Sequence, residues 1–120
     1  MRGDRVKNLD TYKVGIDATI HEALKAINEG VGNIALVVDG DQKLLGTVTD
    51  GDVRRGLLSG IDMQSPVSMI MKVDPVKAKP DHDRQFILSI MKQNLLRQIP
   101  VVDAAGRLLR LEVLDELEGF

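Results

Sequence analysis

The sequence predicts a mixed α/β chain, α+β in arrangement. It is made of two copies of one β-α-β-β-α unit packed as a pseudo-two-fold pair. Three observations predict this. The first is an ungapped internal repeat. Val37-Val38-Asp39 recurs as Val101-Val102-Asp103, and the same 64-residue offset, the separation of Val37 from Val101, places Lys43-Leu44-Leu45 on Arg107-Leu108-Leu109, Leu24 on Leu88, Ile27 on Met91 and Asp17 on Asp81. A repeat constrains architecture before any local signal does. The second is the hydrophobic period, which switches within each copy from helical spacing to short runs rich in β-branched residues. The third is turn chemistry at matching places, Asp39-Gly40-Asp41 in one copy and Ala104-Ala105-Gly106 in the other.

The first copy, residues 1–60, opens with a short strand over residues 13–16. Thr19 and Glu22 have capping-box spacing. Ile20, Ala23, Leu24 and Ile27 then line one helical face, and Gly30 and Gly32 end the helix. Residues 34–38 read as a buried strand and residues 44–49 as a second. A second helix is expected from Asp52 to Leu58, stopped near Gly60. Residues 61–72 form a linker broken at Pro66.

The second copy, residues 73–120, repeats the order. A short strand is expected at residues 76–78, a helix over residues 83–93, and strands over residues 99–102 and 108–113. A helix begins at Leu114. Pro100 suggests an edge or an initial strand position. A three-stranded sheet with two helices on one face is barely able to bury itself at ~50 residues. Two copies can share a core and leave a cleft between them, a preferred place for a ligand.

Composition bounds the function. The 120 residues are 43% hydrophobic and 28% charged, as in one globular domain. A net charge of −2 and only three aromatic residues, Tyr12, Phe86 and Phe120, argue against a nucleic-acid surface. The polar N-terminus lacks a signal-peptide core, and no stretch reaches the ~18 apolar residues of a membrane span. The chain has no cysteine, hence no thiolate metal site, and a cytoplasmic setting is expected.

The segment Gly46-Thr47-Val48-Thr49-Asp50-Gly51-Asp52-Val53-Arg54-Arg55 carries the chemistry. It gathers a hydroxyl, carboxylates, a glycine and two guanidiniums into one strand-to-helix turn. Those groups suit a sugar hydroxyl pair joined to a phosphate. Gly51 would let backbone approach a ligand, and the helix N-terminus favours a phosphate. Arg54 and Arg55 offer forked hydrogen bonds, though helical neighbours point about 100° apart and only one can face the cleft. Equally, Thr49 and Asp52 could simply cap the second helix, with the arginines a solvated face.

The doubled unit, with GTVTDGDVRR closing one copy and IPVVDAAGRLLRLEVLDEL the other, resembles the CBS domain pair, or Bateman module, from about Val6 to Leu117. The wider context resembles the N-terminal CBS pair of bacterial sugar-phosphate nucleotidyltransferases. The C-terminal pair of arabinose 5-phosphate isomerases is the close rival. The glycine-rich nucleotide loop of such a transferase is missing here, so the chain is expected to be a regulatory fragment or a stand-alone pair and not an enzyme. The resemblance implies an adenosine nucleotide (AMP, ADP, ATP or S-adenosylmethionine) as regulatory ligand, with no other cofactor. It places Thr49 and Asp52 on the ribose and α-phosphate, with Asp50 beside them. It places the base between strands near Val14, Gly15 and Ile16 and near Ile34, Ala35 and Leu36. It also implies flat homodimers through the helices, with Leu57, Leu58 and the region from Met69 to Met71 contributing. A ligand-free dimerisation module is the rival function.

The offset turns Gly46 into Arg110, Thr49 into Val113 and Asp52 into Glu116. Valine has threonine's shape without its hydroxyl, and glutamate overreaches by a methylene. One competent site per chain is therefore expected, with Arg110 paired to Glu112 or another acid. Asp39-Gly40-Asp41 and Asp50-Gly51-Asp52 lack the further ligands of a calcium loop. His21 reads as a surface residue, and His82 as a contributor to a helix cap. No metal site is expected.

Overall fold

The computed structural model describes residues 9–30 and 32–118. The charged N-terminal stretch, Val31 and the C-terminal Phe120 named above lie outside them. Two strand-rich halves follow one another. The first contains β1 (Lys13–Gly15), α1 (Ile20–Glu29), β2 (Ile34–Val38), β3 (Leu44–Thr49) and α2 (Asp50–Leu58). A short strand, β4 (Lys72–Val73), lies at the end of the connecting segment. The second half contains α3 (Arg84–Gln93), β5 (Gln98–Val102), β6 (Leu108–Val113) and α4 (Leu114–Leu117). Among the described residues no helix is long and apolar enough to cross a membrane.

The two hairpins repeat pair by pair. β2 and β3 pair antiparallel from Ile34↔Thr49 to Val38↔Leu44, with a bulge between Val37 and Val38. β5 and β6 pair from Gln98↔Val113 to Val102↔Leu108, with the bulge between Val101 and Val102. Both hairpin turns are held by an aspartate. Asp39 Oδ1 accepts from the Asp41 and Lys43 N–H groups at 2.8 and 3.0 Å. Asp103 Oδ1 accepts from Ala105 and Arg107 at 2.9 Å each. The left-handed residue of each turn is Gln42 (φ 67°) and its repeat partner Gly106 (φ 87°), not Gly40. The two turns also bond to each other. Leu44 N–H donates to Gly106 O at 3.0 Å, and Leu108 N–H donates to Gln42 O at 2.9 Å.

Helix α1 starts as expected. The Glu22 N–H donates to Thr19 Oγ1 at 3.1 Å, and the Thr19 N–H donates to Glu22 Oε1 at 3.0 Å. Hydrogen bonds from the Thr19 backbone and hydroxyl hold the Glu22 carboxyl below its ordinary range. Asp83 caps α3 through the Phe86 N–H at 2.8 Å. His82 does not cap it. His82 Nδ1 accepts from the Lys79 N–H at 3.1 Å, closing the turn just before.

Three apolar layers result. In the first, Ile20, Ala23 and Ile27 of α1 pack on Ala35, Val37 and Val48. In the third, Ile87 and Met91 of α3 pack on Ala78, Ile99 and Val101. The middle layer joins the halves and contains Tyr12, Ile34, Leu36, Val38, Leu108 and Leu111. Strand β2 therefore serves two layers by alternation, and all five of its residues are buried. Each large aliphatic side chain fully buried this way stabilises by about 1.5–3 kcal/mol.

Three expectations need correction. The strand expected at residues 76–78 is reduced to one bridge, Ala78↔Val101. In the first half the Leu36 N–H donates to Tyr12 O at 2.7 Å, which helps hold β1 parallel to β2. The offset puts Pro100 at Leu36 and Val76 at Tyr12, so the second half has no donor for that bond. Pro100 is the third residue of β5, an edge of the two-stranded β5–β6 sheet, and its carbonyl accepts from the Ala78 N–H at 2.9 Å. The linker expected over residues 61–72 ends in a strand, because β4 pairs antiparallel with β3 through Gly46↔Val73 and Thr47↔Lys72. A Cβ on Gly46 would stand 2.8 Å from Lys72 O and 2.9 Å from Met71 Sδ, so this pairing requires glycine. Finally, α2 begins at Asp50, two residues earlier than the pattern suggested.

Candidate functional site

A cleft of about 200 Å³, open to solvent, runs between the halves. That is smaller than the ~300–1,000 Å³ usual for small-ligand sites. Its walls come from both copies. Thr47 and Thr49 of β3 and Asp52 and Arg55 of α2 form one side. Leu96, Gln98 and Pro100 form the other, with Lys72, Pro75 and Val76 between them. The β3–α2 junction aims its polar groups inward because Thr49 is still extended (φ −118°, ψ 172°) while Asp50 is already helical.

The expected site residues separate into three groups. Thr49, Asp52, Arg55 and Ile34 meet at the cleft. Asp50 lines a different groove, with His21, Lys25 and Asn28 of α1. Arg54 is exposed and Gly51 half-buried, and neither lines the cleft. Of the residues expected to hold the base, Ile34 lines the cleft and the other five do not. β1 and β2 are hydrogen-bonded neighbours, pairing Val14 with Val37 and Gly15 with Val38, so no slot separates them. Ala35 and Leu36 are fully buried, Ile16 packs on the first layer, and Val14 faces a groove beside α1.

Asp52 serves the helix and the cleft together. Its Oδ2 accepts from the Thr49 N–H at 2.9 Å and from the Thr49 hydroxyl at 3.1 Å. Its Oδ1 accepts from Arg55 Nη2 at 2.7 Å. The capping role and the cleft position are thus one arrangement, with the carboxylate fixed by its cap and turned to the opening. Gly51 lies beneath the Arg55 guanidinium. A Cβ there would lie 3.2 Å from Arg55 Nη1 and 3.6 Å from Arg55 Cζ. Its missing side chain leaves room for the guanidinium in this position.

Thr47 is a site residue that motif reading passed over. Among the described residues it is the buried polar side chain, and it faces the cleft. Its repeat partner is Leu111. The offset carried round the whole cleft would have exposed this, since it places Tyr12 at Val76, Gly32 at Leu96 and Val113 at Thr49. In the structure these counterparts are the middle layer. Tyr12 packs with Ile34, Leu36 and Leu111, and Val113 packs against them. A Cβ on Gly32 would stand 2.9 Å from Leu111 Cδ2 and 3.3 Å from Tyr12 Cε1. The second copy's counterpart of the cleft is therefore filled with side chains. Arg110 Nε donates to Glu112 Oε2 at 2.7 Å, as its neighbourhood in sequence suggested. No cluster of three or more His, Cys, Asp or Glu that would hold a metal forms among the described residues.

Comparison with known proteins agrees with this architecture. The family model described as "CBS domain" matches twice, over residues 6–59 and 67–110. The chain is 29% identical over 116 residues to inosine-5'-monophosphate dehydrogenase of Methanocaldococcus jannaschii, covering 97% of this chain and 23% of that protein. It is 30% identical over 97 residues to arabinose 5-phosphate isomerase GutQ of Escherichia coli, covering 80% of this chain and 30% of that one. The chain thus spans about a quarter to a third of these two relatives. Among solved structures, CBSX2 in complex with AMP superposes with a TM-score of 0.78 at 21% identity, covering 97% of this chain and 91% of that chain. The CBS domain pair of protein MJ0100, in complex with 5'-methylthioadenosine and S-adenosyl-L-methionine, gives a TM-score of 0.76 at 22% identity over 88% and 83% of the chains. The chain belongs to the CBS domain family and carries two copies of the domain, joined as a pair.

Proposed function

We propose that this CBS pair is a regulatory module binding one adenosine nucleotide in the cleft at Thr49 and Asp52. The observation that carries the reading is the cleft's composition. A carboxylate held by its own cap faces two cations, Arg55 and Lys72, beside apolar Ile34, Val76 and Leu96. A ribose diol suits the carboxylate and a phosphate suits the cations. The adenosine ligands of CBSX2 and the MJ0100 pair support the same class. The apolar wall across from Asp52 takes the base in this reading, in place of the strand edges near Gly15 and Ala35.

Binding matters to a neighbour only if the ligand prefers one of two states of the module. The neighbour in this reading is a sugar-phosphate nucleotidyltransferase attached in a cytoplasmic protein. A sugar-phosphate isomerase is the second reading, and the match to GutQ favours it. The module itself carries no catalytic group. It pairs with a second copy through exposed Leu57, Leu58 and Met69.

Calorimetry with AMP, ADP, ATP, S-adenosylmethionine and guanine nucleotides tests the site. One adenosine ligand per chain is expected. Asp52→Ala should weaken it about 10–100-fold, the value of a charge-assisted contact, and Glu116→Ala should leave it unchanged. Two equal sites per chain, or no binding by any of them, overturns the proposal.

A further inference from the structure

We infer that Arg55 selects phosphorylated ligands by holding the cleft's own carboxylate until a phosphate is offered in exchange; this rests on the reading of the cleft above. Asp52 Oδ2 is committed to the Thr49 N–H and hydroxyl. That leaves Oδ1 to meet a diol, and Oδ1 is where Arg55 Nη2 sits at 2.7 Å. A ligand reaching Asp52 must displace the guanidinium or share the oxygen with it.

The pair is built to open. Asp52's side chain is 18% exposed and Arg55's is 72% exposed, so the acid is held by its surroundings and the guanidinium lies open to solvent. The guanidinium rests on Gly51, with nothing beyond Cα beneath it. Both residues line the cleft, and Lys72 adds a second cation to its wall. The two cations outnumber the one carboxylate there. A nucleoside that displaces Arg55 from Asp52 offers the guanidinium no anion in exchange. A nucleotide breaks it and gives Arg55 a phosphate, which matches the fork of a guanidinium better than a single carboxylate oxygen does. In the second copy the offset places Gly119, with no side chain, at Arg55. The device therefore belongs to the first copy.

The test compares AMP with adenosine by calorimetry, on the wild-type chain and on Arg55→Met. Wild type should prefer AMP by about tenfold or more. In Arg55→Met the preference should shrink to about twofold, with adenosine bound as well as before or better. Gly51→Ala, which crowds the guanidinium without removing its charge, should lower the preference part of the way. Thermal melts on both variants check that the fold is retained. AMP binding with an undiminished preference in Arg55→Met overturns the role of Arg55 and leaves the nucleotide site standing. Failure of the wild type to bind either ligand overturns both.

Discussion

The two halves of the chain share one backbone plan and differ in what fills the space beside it. Strand pairings, bulges, turn aspartates and left-handed turn residues all repeat at the same offset. Beside the first β3–α2 junction lies a cleft lined by Thr47, Asp52 and Arg55. Beside the second lie Leu111, Val113 and the ring of Tyr12, buried to 1% exposure. The difference teaches that a cleft in a duplicated fold is closed by being filled. Where the first half has Asp52 the second has the longer Glu116. Where the first has Val76 the second has Tyr12, whose ring takes up the room and becomes core.

Truncating the two counterparts breaks or sharpens that comparison most strongly. Tyr12→Ala should destabilise the chain by about 3–5 kcal/mol, as large buried aromatic truncations do. Val76→Ala, half-buried at the cleft, should lose about 1 kcal/mol. Urea denaturation of the two variants measures both, and equal losses would contradict a filled second site.

Exchanging the glycine of β3 and the arginine at the repeat-related position of β6 comes next. Gly46→Arg puts the second copy's residue where a Cβ meets Lys72 O, and should unseat β4 at about 1–3 kcal/mol. Arg110→Gly should lose less, about 1 kcal/mol, from glycine's entropy together with the half-exposed Arg110–Glu112 pair. If the reciprocal change is the more damaging one in the same denaturation assay, Gly46 is not the seat of β4.

The smallest effect concerns the second turn in acid. The Arg107 N–H, with help from the Ala105 N–H and the Arg107 side chain, holds the Asp103 carboxyl below its ordinary range. A lowered folded-state pKa contributes stability above the ordinary aspartate value, and that stability is lost as pH falls through the lowered one. The stability gap between wild type and Asp103→Asn should therefore narrow steadily on acidification. A gap that stays constant from neutral pH to about pH 2 would remove the turn aspartate from the account.

Much of this was legible in the sequence. The offset gave both hairpins, both helical faces and the Thr49–Asp52–Arg55 group, because apolar period and turn chemistry are local signals. Local signals also misled. Reading Thr-x-x-Asp alone set capping against ligand contact as alternatives, whereas one carboxylate does the first with Oδ2 and presents Oδ1 to the cleft. The strand edges near Val14 and Ala35 pair with each other, a non-local fact that no period reveals. Thr47 and Tyr12 each look ordinary alone. Their meaning appears only when the repeat comparison is extended from the motif to every wall of the cleft. β4 escaped because two residues carry no period, and its trace in the sequence is a glycine one strand away.

The hydrogen bonds between the two turns carry one more consequence. Leu44 donates to Gly106 and Leu108 donates to Gln42, and these four residues are two repeat-related pairs. Each turn thus supplies one donor and one acceptor to an identical edge. Such a seam is self-complementary in the sense of an isologous two-fold contact. It is the joint that two separate copies of a single half would make with each other, so the chain has the geometry of a symmetric dimer fused end to end. On one chain the two halves need not be identical. One holds an open cleft and the other supplies the packing beside it.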